Sequence, residues 1–344
     1  MKKFKLLIIG LISIIALAGC AGNDKKESAT KDTQSEATSY PLTIENYAKA
    51  DGATKWTKKS ETYDAAPKSV LANTRPMAEL LLHLGLGKSI SGVGAVFGEA
   101  DTSVSDEFAK LNQLSTTYIP KETALSVSPD FIFGRGDLFE NSEWGVGTVD
   151  SLNEMGINTY VMKSSIKGGT FNSLYGDIEN LGQIFDAQDK AAQFESELKA
   201  RQKKVEDALK GIKKEKTFAY IHSNDPDDIA AYSLTDDTFS LSIFKMLKLK
   251  HVFSEPTGML SLETLIVANP DVLIIPKWDG YNEKESGAEK MLEGVLKSSK
   301  VSNMKAFKNK QVYIVDYNYL FGYSYQSLDG VEKLAKEMYP DLVK

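Results

Sequence analysis

Glu122-Thr123-Ala124-Leu125-Ser126-Val127-Ser128-Pro129-Asp130, followed by Phe131-Ile132-Phe133, returns later in the chain as Glu263-Thr264-Leu265-Ile266-Val267-Ala268-Asn269-Pro270-Asp271, followed by Val272-Leu273-Ile274-Ile275. Glu, Thr, Pro and Asp match at one spacing, an offset of 141 residues (263 against 122, 270 against 129). Each unit reads as a short helix, a Pro-Asp turn and a strand. Proline ends the helix, and an unbroken apolar run suits a strand covered on both faces. The flanks match too. A strand at 69–72 leads to a helix over Met77–Leu84, ended by Gly85 and Gly87. A strand over Thr217–Ile221 leads to a helix over Leu241–Leu247. The pattern predicts an α/β protein of two similar lobes with mainly parallel sheets, at 57–188 and 214–344.

Residues 189–213 lie between the lobes, with no proline and no glycine before Gly211. Ala192, Phe194, Leu198, Val205 and Leu209 form a helical stripe amid charge. About 22 residues at 1.5 Å each span roughly 33 Å, enough to bridge two lobes. A stiff bridge of this kind predicts small hinge motion.

The chain opens MKKFKLLIIGLISIIALAGC. A basic start, a short apolar run and Leu17-Ala18-Gly19-Cys20 read as a signal peptide over 1–19 and a lipid attachment site at Cys20. Residues 20–45, polar and small, read as the lipidated cysteine and a flexible linker. The folded body is expected to start between Tyr40 and Trp56. Cys20 is the one cysteine of 344 residues, so no internal disulfide can form. A net charge of −6 argues against a nucleic-acid partner.

With the lipobox, the opening ANTRPMAELLLHLGLGKSISGVG, ETALSVSPDFIFG, the central helix and ETLIVANPDVLII, the chain resembles the helical-backbone substrate-binding lipoproteins of ABC importers for iron-siderophores, haem and cobalamin. The resemblance covers roughly 57–344. It implies two α/β lobes joined by one long helix, with ligand in the cleft between them. It also implies that Glu122 and Glu263 dock on arginines of a dimeric permease that works with its ATPase. Two carboxylates related by the repeat would suit such a symmetric partner. The implied location is the outer face of the cytoplasmic membrane, held by lipid alone. The receptor is expected to be a monomer with no cofactor and no metal ligands of its own.

Ligands of open α/β sheets bind beyond the carboxyl ends of the strands. The chain has three arginines, and Arg75 and Arg135 follow such strand ends in the first lobe. Arginine suits bidentate contact with carboxylate or catecholate oxygens, which points to an anionic ferric siderophore. Arg201 falls on the bridging helix and reads as a solvated charge. Phe97, Trp144, Tyr232, Trp278 and Tyr317 are candidate rings around the ligand, and His222 a candidate polar contact. His83 and His251 read as structural. The glycines flanking Arg135 would let backbone approach ligand. Haem or cobalamin is the alternative cargo. An extracytoplasmic enzyme or an adhesin displaying Arg135-Gly136-Asp137 is the alternative of another class, but no HExxH or GxSxG motif is present.

Overall fold

The computed structural model describes residues 36–223, 228–277 and 288–343. Cys20 and Trp278 lie outside these residues. The described chain begins with a hairpin, β1 (Leu42–Ala48) antiparallel to β2 (Thr57–Tyr63). In β1 alternate residues Ile44, Asn46 and Ala48 are buried, the period of a half-covered strand. Residues 42–45, expected in the linker, therefore belong to β1. The first lobe follows with β3 (Val70–Ala72), β4 (Ile90–Val93), β5 (Phe131–Gly134) and β6 (Asn158–Val161). They form an all-parallel sheet in the order β4-β3-β5-β6. The hairpin is fastened to β6: the Asn46 amide and the Tyr63 hydroxyl donate to the Thr159 carbonyl, and the Thr159 N–H donates to Glu61.

The second lobe contains β7 (Lys216–Ile221), β8 (Ala231–Ser233), β9 (Leu249–His251), β10 (Gly258–Leu260), β11 (Val272–Lys277) and β12 (Val312–Asp316). Here β9-β7-β11-β12 repeats the parallel plan of β4-β3-β5-β6, while β8 and β10 add an antiparallel edge that the sequence pattern did not signal.

The repeat is structural. Glu122 and Glu263 are exposed first-turn residues of the helices Lys121–Leu125 and Leu262–Ala268. Ser128 and Asn269, again 141 apart, both take left-handed backbone, at φ 48° and 45°. Asp130 accepts the Lys68 and Ser69 N–H groups, and Asp271 accepts the Thr217 N–H and hydroxyl. The Pro-Asp turn thus pins each repeat strand to the start of its parallel neighbour.

Side chains alternate across each strand. Leu71, Ile132 and Val161 face a core confined to the first lobe, and Ala219, Ile221, Leu273 and Ile275 face one confined to the second. The alternate residues, Val70, Ala72, Phe131, Phe133, Phe218, Tyr220 and Ile274, join a single core running through both lobes. The bridging helix Gln188–Leu209 supplies its middle with Ala191, Phe194, Leu198, Val205 and Leu209. Ala191 replaces the expected Ala192, because the stripe runs at steps of three and four from Phe194.

A polar seam ties the lobes beside this helix. Glu79, fully buried on the helix Arg75–His83, accepts from the Gln326 amide at 2.7 Å and the Asp101 N–H at 3.2 Å, with Arg75 Nη1 at 3.5 Å. Asp101 accepts from the Tyr325 hydroxyl at 2.7 Å and lies 2.8 Å from His83 Nε2. Arg201 is not a free solvated charge, because it pairs with Asp329 and Glu332 of the C-terminal helix Ser327–Met338.

Candidate functional site

The site is built at the carboxyl ends of three parallel strands. Arg135 follows β5, His222 follows β7 and Tyr317 follows β12. Asn73, one residue past β3, grips the Arg135 backbone on both sides: its side-chain oxygen accepts the Arg135 N–H at 3.0 Å and its amide donates to the Arg135 carbonyl at 3.0 Å. Gly134 makes this possible, since a Cβ there would lie 1.9 Å from the Asn73 oxygen. At Gly136 a Cβ would press within 2.6 Å of the Ile166 side chain. These glycines make room for Asn73 and Ile166, not for ligand as their flanking position had suggested.

Two cavities meet at Arg135. The first, about 430 Å³, lies between the lobes, with Ser164, Ser165 and Lys167 on one side and Asp236, Asp237 and Thr238 on the other. The second, about 490 Å³, is bounded by Lys49, Tyr118, Leu138, Glu140 and Trp144. Arg135, Asp137 and Tyr317 line both.

The Arg135 guanidinium is nearly dry. Its Nη1 donates to the Tyr118 hydroxyl at 3.1 Å, Nη2 stands 3.4 Å from Asp137, and the plane lies 5.0 Å from the centre of the Tyr323 ring. Its buried Nε has no hydrogen-bond partner among the described residues. A partly desolvated cation with spare donor capacity is a strong place for an anionic oxygen. Tyr323 is positioned in turn by donating to Asp237 at 3.2 Å. Asp237 caps the helix Thr238–Met246 by accepting the Ser240 N–H, and burial raises its pKa. Burial also lowers the His222 pKa, favouring the neutral imidazole.

Of the other expected residues, His222 and Tyr232 line the first cavity and Trp144 the second. Phe97 is buried behind them, edge-on to Tyr118 at 5.6 Å. Arg75 lines neither cavity. It begins a helix, lies 4.7 Å from the Phe108 ring centre and pairs with Glu79 one turn on. Within the Arg135-Gly136-Asp137 triplet the arginine side chain is 12% exposed and the aspartate 54%, so the arginine is not displayed. Sequence reasoning missed Tyr118, Asp137, Asp237, Tyr323 and Lys49. Asp237 carried a signal as an N-cap before an apolar helix. Tyr323 sat in the tyrosine-rich stretch 313–325, and Lys49 carried none.

The periplasmic binding protein family model matches residues 70–319, and the chain belongs to that family. It is 26% identical over 340 residues to the uncharacterized ABC transporter substrate-binding lipoprotein YvrC of Bacillus subtilis (strain 168), covering 97% of this chain and 96% of that one. It is 25% identical over 349 residues to the petrobactin-binding protein YclQ of the same organism, covering 98% and 99%. A periplasmic binding protein from Veillonella parvula superposes with a TM-score of 0.74 at 20% identity, covering 87% of this chain and 99% of that chain. The two-lobed α/β fold is that of the family.

Proposed function

We propose that this protein is an extracytoplasmic lipoprotein, anchored through Cys20, that captures an anionic ferric siderophore between its lobes and delivers it to an ABC permease. The observation that carries the reading is Arg135: one nearly dry guanidinium among phenols, at the junction of two cavities, with a donor to spare. Petrobactin binding by a 25% identical relative supports the cargo class, and the name of YvrC supports the lipid anchor and the ABC partner. Glu122 and Glu263 are the proposed docking pair, exposed at equivalent places on the two lobes.

Titration of the three tryptophans' fluorescence with ferric catecholate, hydroxamate and citrate chelates tests the cargo. Saturable quenching by at least one is expected, and no response to any overturns it. Haem has one favourable observation, the neutral His222 on the cavity wall. A Soret shift with haem in place of chelate binding would select that cargo.

A further inference from the structure

The buried Asp177, on the helix Ser173–Ile184, holds the short turn Lys163–Ser165 just past β6. Its carboxylate accepts the Lys163 N–H at 2.8 Å, the Ser164 N–H at 2.9 Å and the Tyr160 hydroxyl at 3.0 Å. A carboxylate that takes two successive N–H groups fixes the backbone of a turn, as a cap fixes the start of a helix. The two serines of the turn are thereby aimed. Ser165 Oγ accepts the Gly136 N–H at 2.8 Å, next in the chain to Arg135. Ser164 Oγ donates to the Tyr323 carbonyl at 2.8 Å, across the lobes.

Tyr323 carries the ring 5.0 Å from the Arg135 guanidinium, and its backbone is left-handed at φ 50°. A bulky residue takes that conformation at a cost and keeps it only where its surroundings impose it. Here they do so from both lobes. The hydroxyl donates to Asp237 of the second lobe at 3.2 Å, and the carbonyl accepts from Ser164 of the first. The segment after the turn is laid along the second lobe too. The Phe171 N–H donates to the Ser242 hydroxyl at 2.8 Å, and the Gly169 carbonyl accepts from the Thr238 hydroxyl. The Ser164 bond therefore belongs to the arrangement in which the two lobes meet.

We infer that the turn Lys163–Ser165 is a positioning device for Arg135 and that Ser164 is the residue through which it acts. By holding Tyr323 from the first lobe, Ser164 sets the ring against the guanidinium and makes completion of the cation site depend on the lobes standing together. Fully buried itself, it works through Tyr323 and is a positioning residue. The inference rests on the proposed capture of ligand at Arg135.

The first test needs no ligand. The chain has three arginines, so a nitrogen–proton correlation spectrum of their Nε–H groups is simple, and Arg75→Lys, Arg135→Lys and Arg201→Lys assign it. Ser164→Ala and Ser165→Ala are each expected to shift or broaden the Arg135 signal and to leave that of Arg201 in place. An Arg135 signal unmoved in both variants overturns the inference. The second test is a double-mutant cycle read with the ferric chelate that quenches wild-type fluorescence. Ser164→Ala is expected to weaken binding about fivefold, the size of one lost hydrogen bond, but by less than about twofold once Arg135 is alanine. A merely structural role would cost the same in both backgrounds, and equal losses would overturn the inference. If no ferric chelate binds, the capture reading falls while the Arg135 signal still decides the positioning.

Discussion

The interface between the lobes has two sides, and each received one arginine from the same lobe. On the seam, Arg75 meets the buried Glu79, and Gln326, Asp101 and Tyr325 carry the network across the lobes, with Arg75 Nε and Gln326 Oε1 left without partners among the described residues. On the cleft, Arg135 has a phenol, a distant carboxylate and a ring, and its Nε without a partner among the described residues. Both arginines follow a strand end, so position on the sheet does not separate them. The neighbour does. A glutamate four residues on, at one helical turn, claims Arg75. Each arginine keeps an Nε without a partner among the described residues, so spare capacity does not separate them either; Arg75 is paired with a buried carboxylate away from both cavities, whereas Arg135 lines both.

The largest effect should come from breaking the seam. Glu79→Ala leaves Arg75 and Gln326 buried without their acceptor, and a loss of about 3 kcal/mol in urea unfolding is expected. Ligand affinity of the remaining folded protein should stay within about twofold. Arg135→Ala should do the reverse: a roughly hundredfold weaker Kd by fluorescence titration, about 2.7 kcal/mol, with unfolding midpoints little changed. If Arg135→Ala unfolds the protein and Glu79→Ala does not, the assignment of roles is inverted and fails.

The seam also has a pH signature. Burial, only partly offset by Arg75, raises the Glu79 pKa from 4.5 to about 7. The folded state then holds a proton that the unfolded state releases from about pH 4.5 upward. Stability should therefore fall as pH rises from 5 to 8, by about 2 kcal/mol from this group, and level off above its folded pKa. Asp177, raised to about 6 by burial, adds in the same direction. Chemical melts at pH 5 and 8 should show the slope, reduced in Glu79→Gln. The smallest effect is expected at the seam's outer edge. Arg201 is 35% exposed, so solvent screens its pairs with Asp329 and Glu332, and Arg201→Ala should cost about 1 kcal/mol in the same melts.

The lobes, the bridging helix and the repeat were legible because they rest on local signals: the Pro-Asp turn, the apolar runs, the stripe through Phe194 and Leu198. The repeat reached even to backbone, since Ser128 and Asn269 share a left-handed conformation. The hairpin at 42–63 was not read, and its first residues fell in the expected linker. Its strands alternate, but many of their residues are polar, and Asn46 and Glu61 are buried only because β6 offers backbone partners. The site was legible where strand ends could be counted, which gave Arg135, His222 and Tyr317. It was illegible where distant segments converge: Lys49, Tyr118 and Asp237 come from three parts of the chain, and no spacing links them. Arg75 misled because the sequence shows a strand end but not which charge will be buried beside it.

The continuous core through the bridging helix has a consequence for anyone who would divide the molecule. A cut near residue 210 would separate two lobes of similar plan, yet each fragment would carry a raw apolar face: Phe171 and Phe194 on one, Phe239 and Tyr325 on the other. Neither half is a module that can be borrowed, swapped or expressed alone. Co-produced, the halves should find each other through that same face, making the chain a candidate for split-protein complementation rather than for domain dissection.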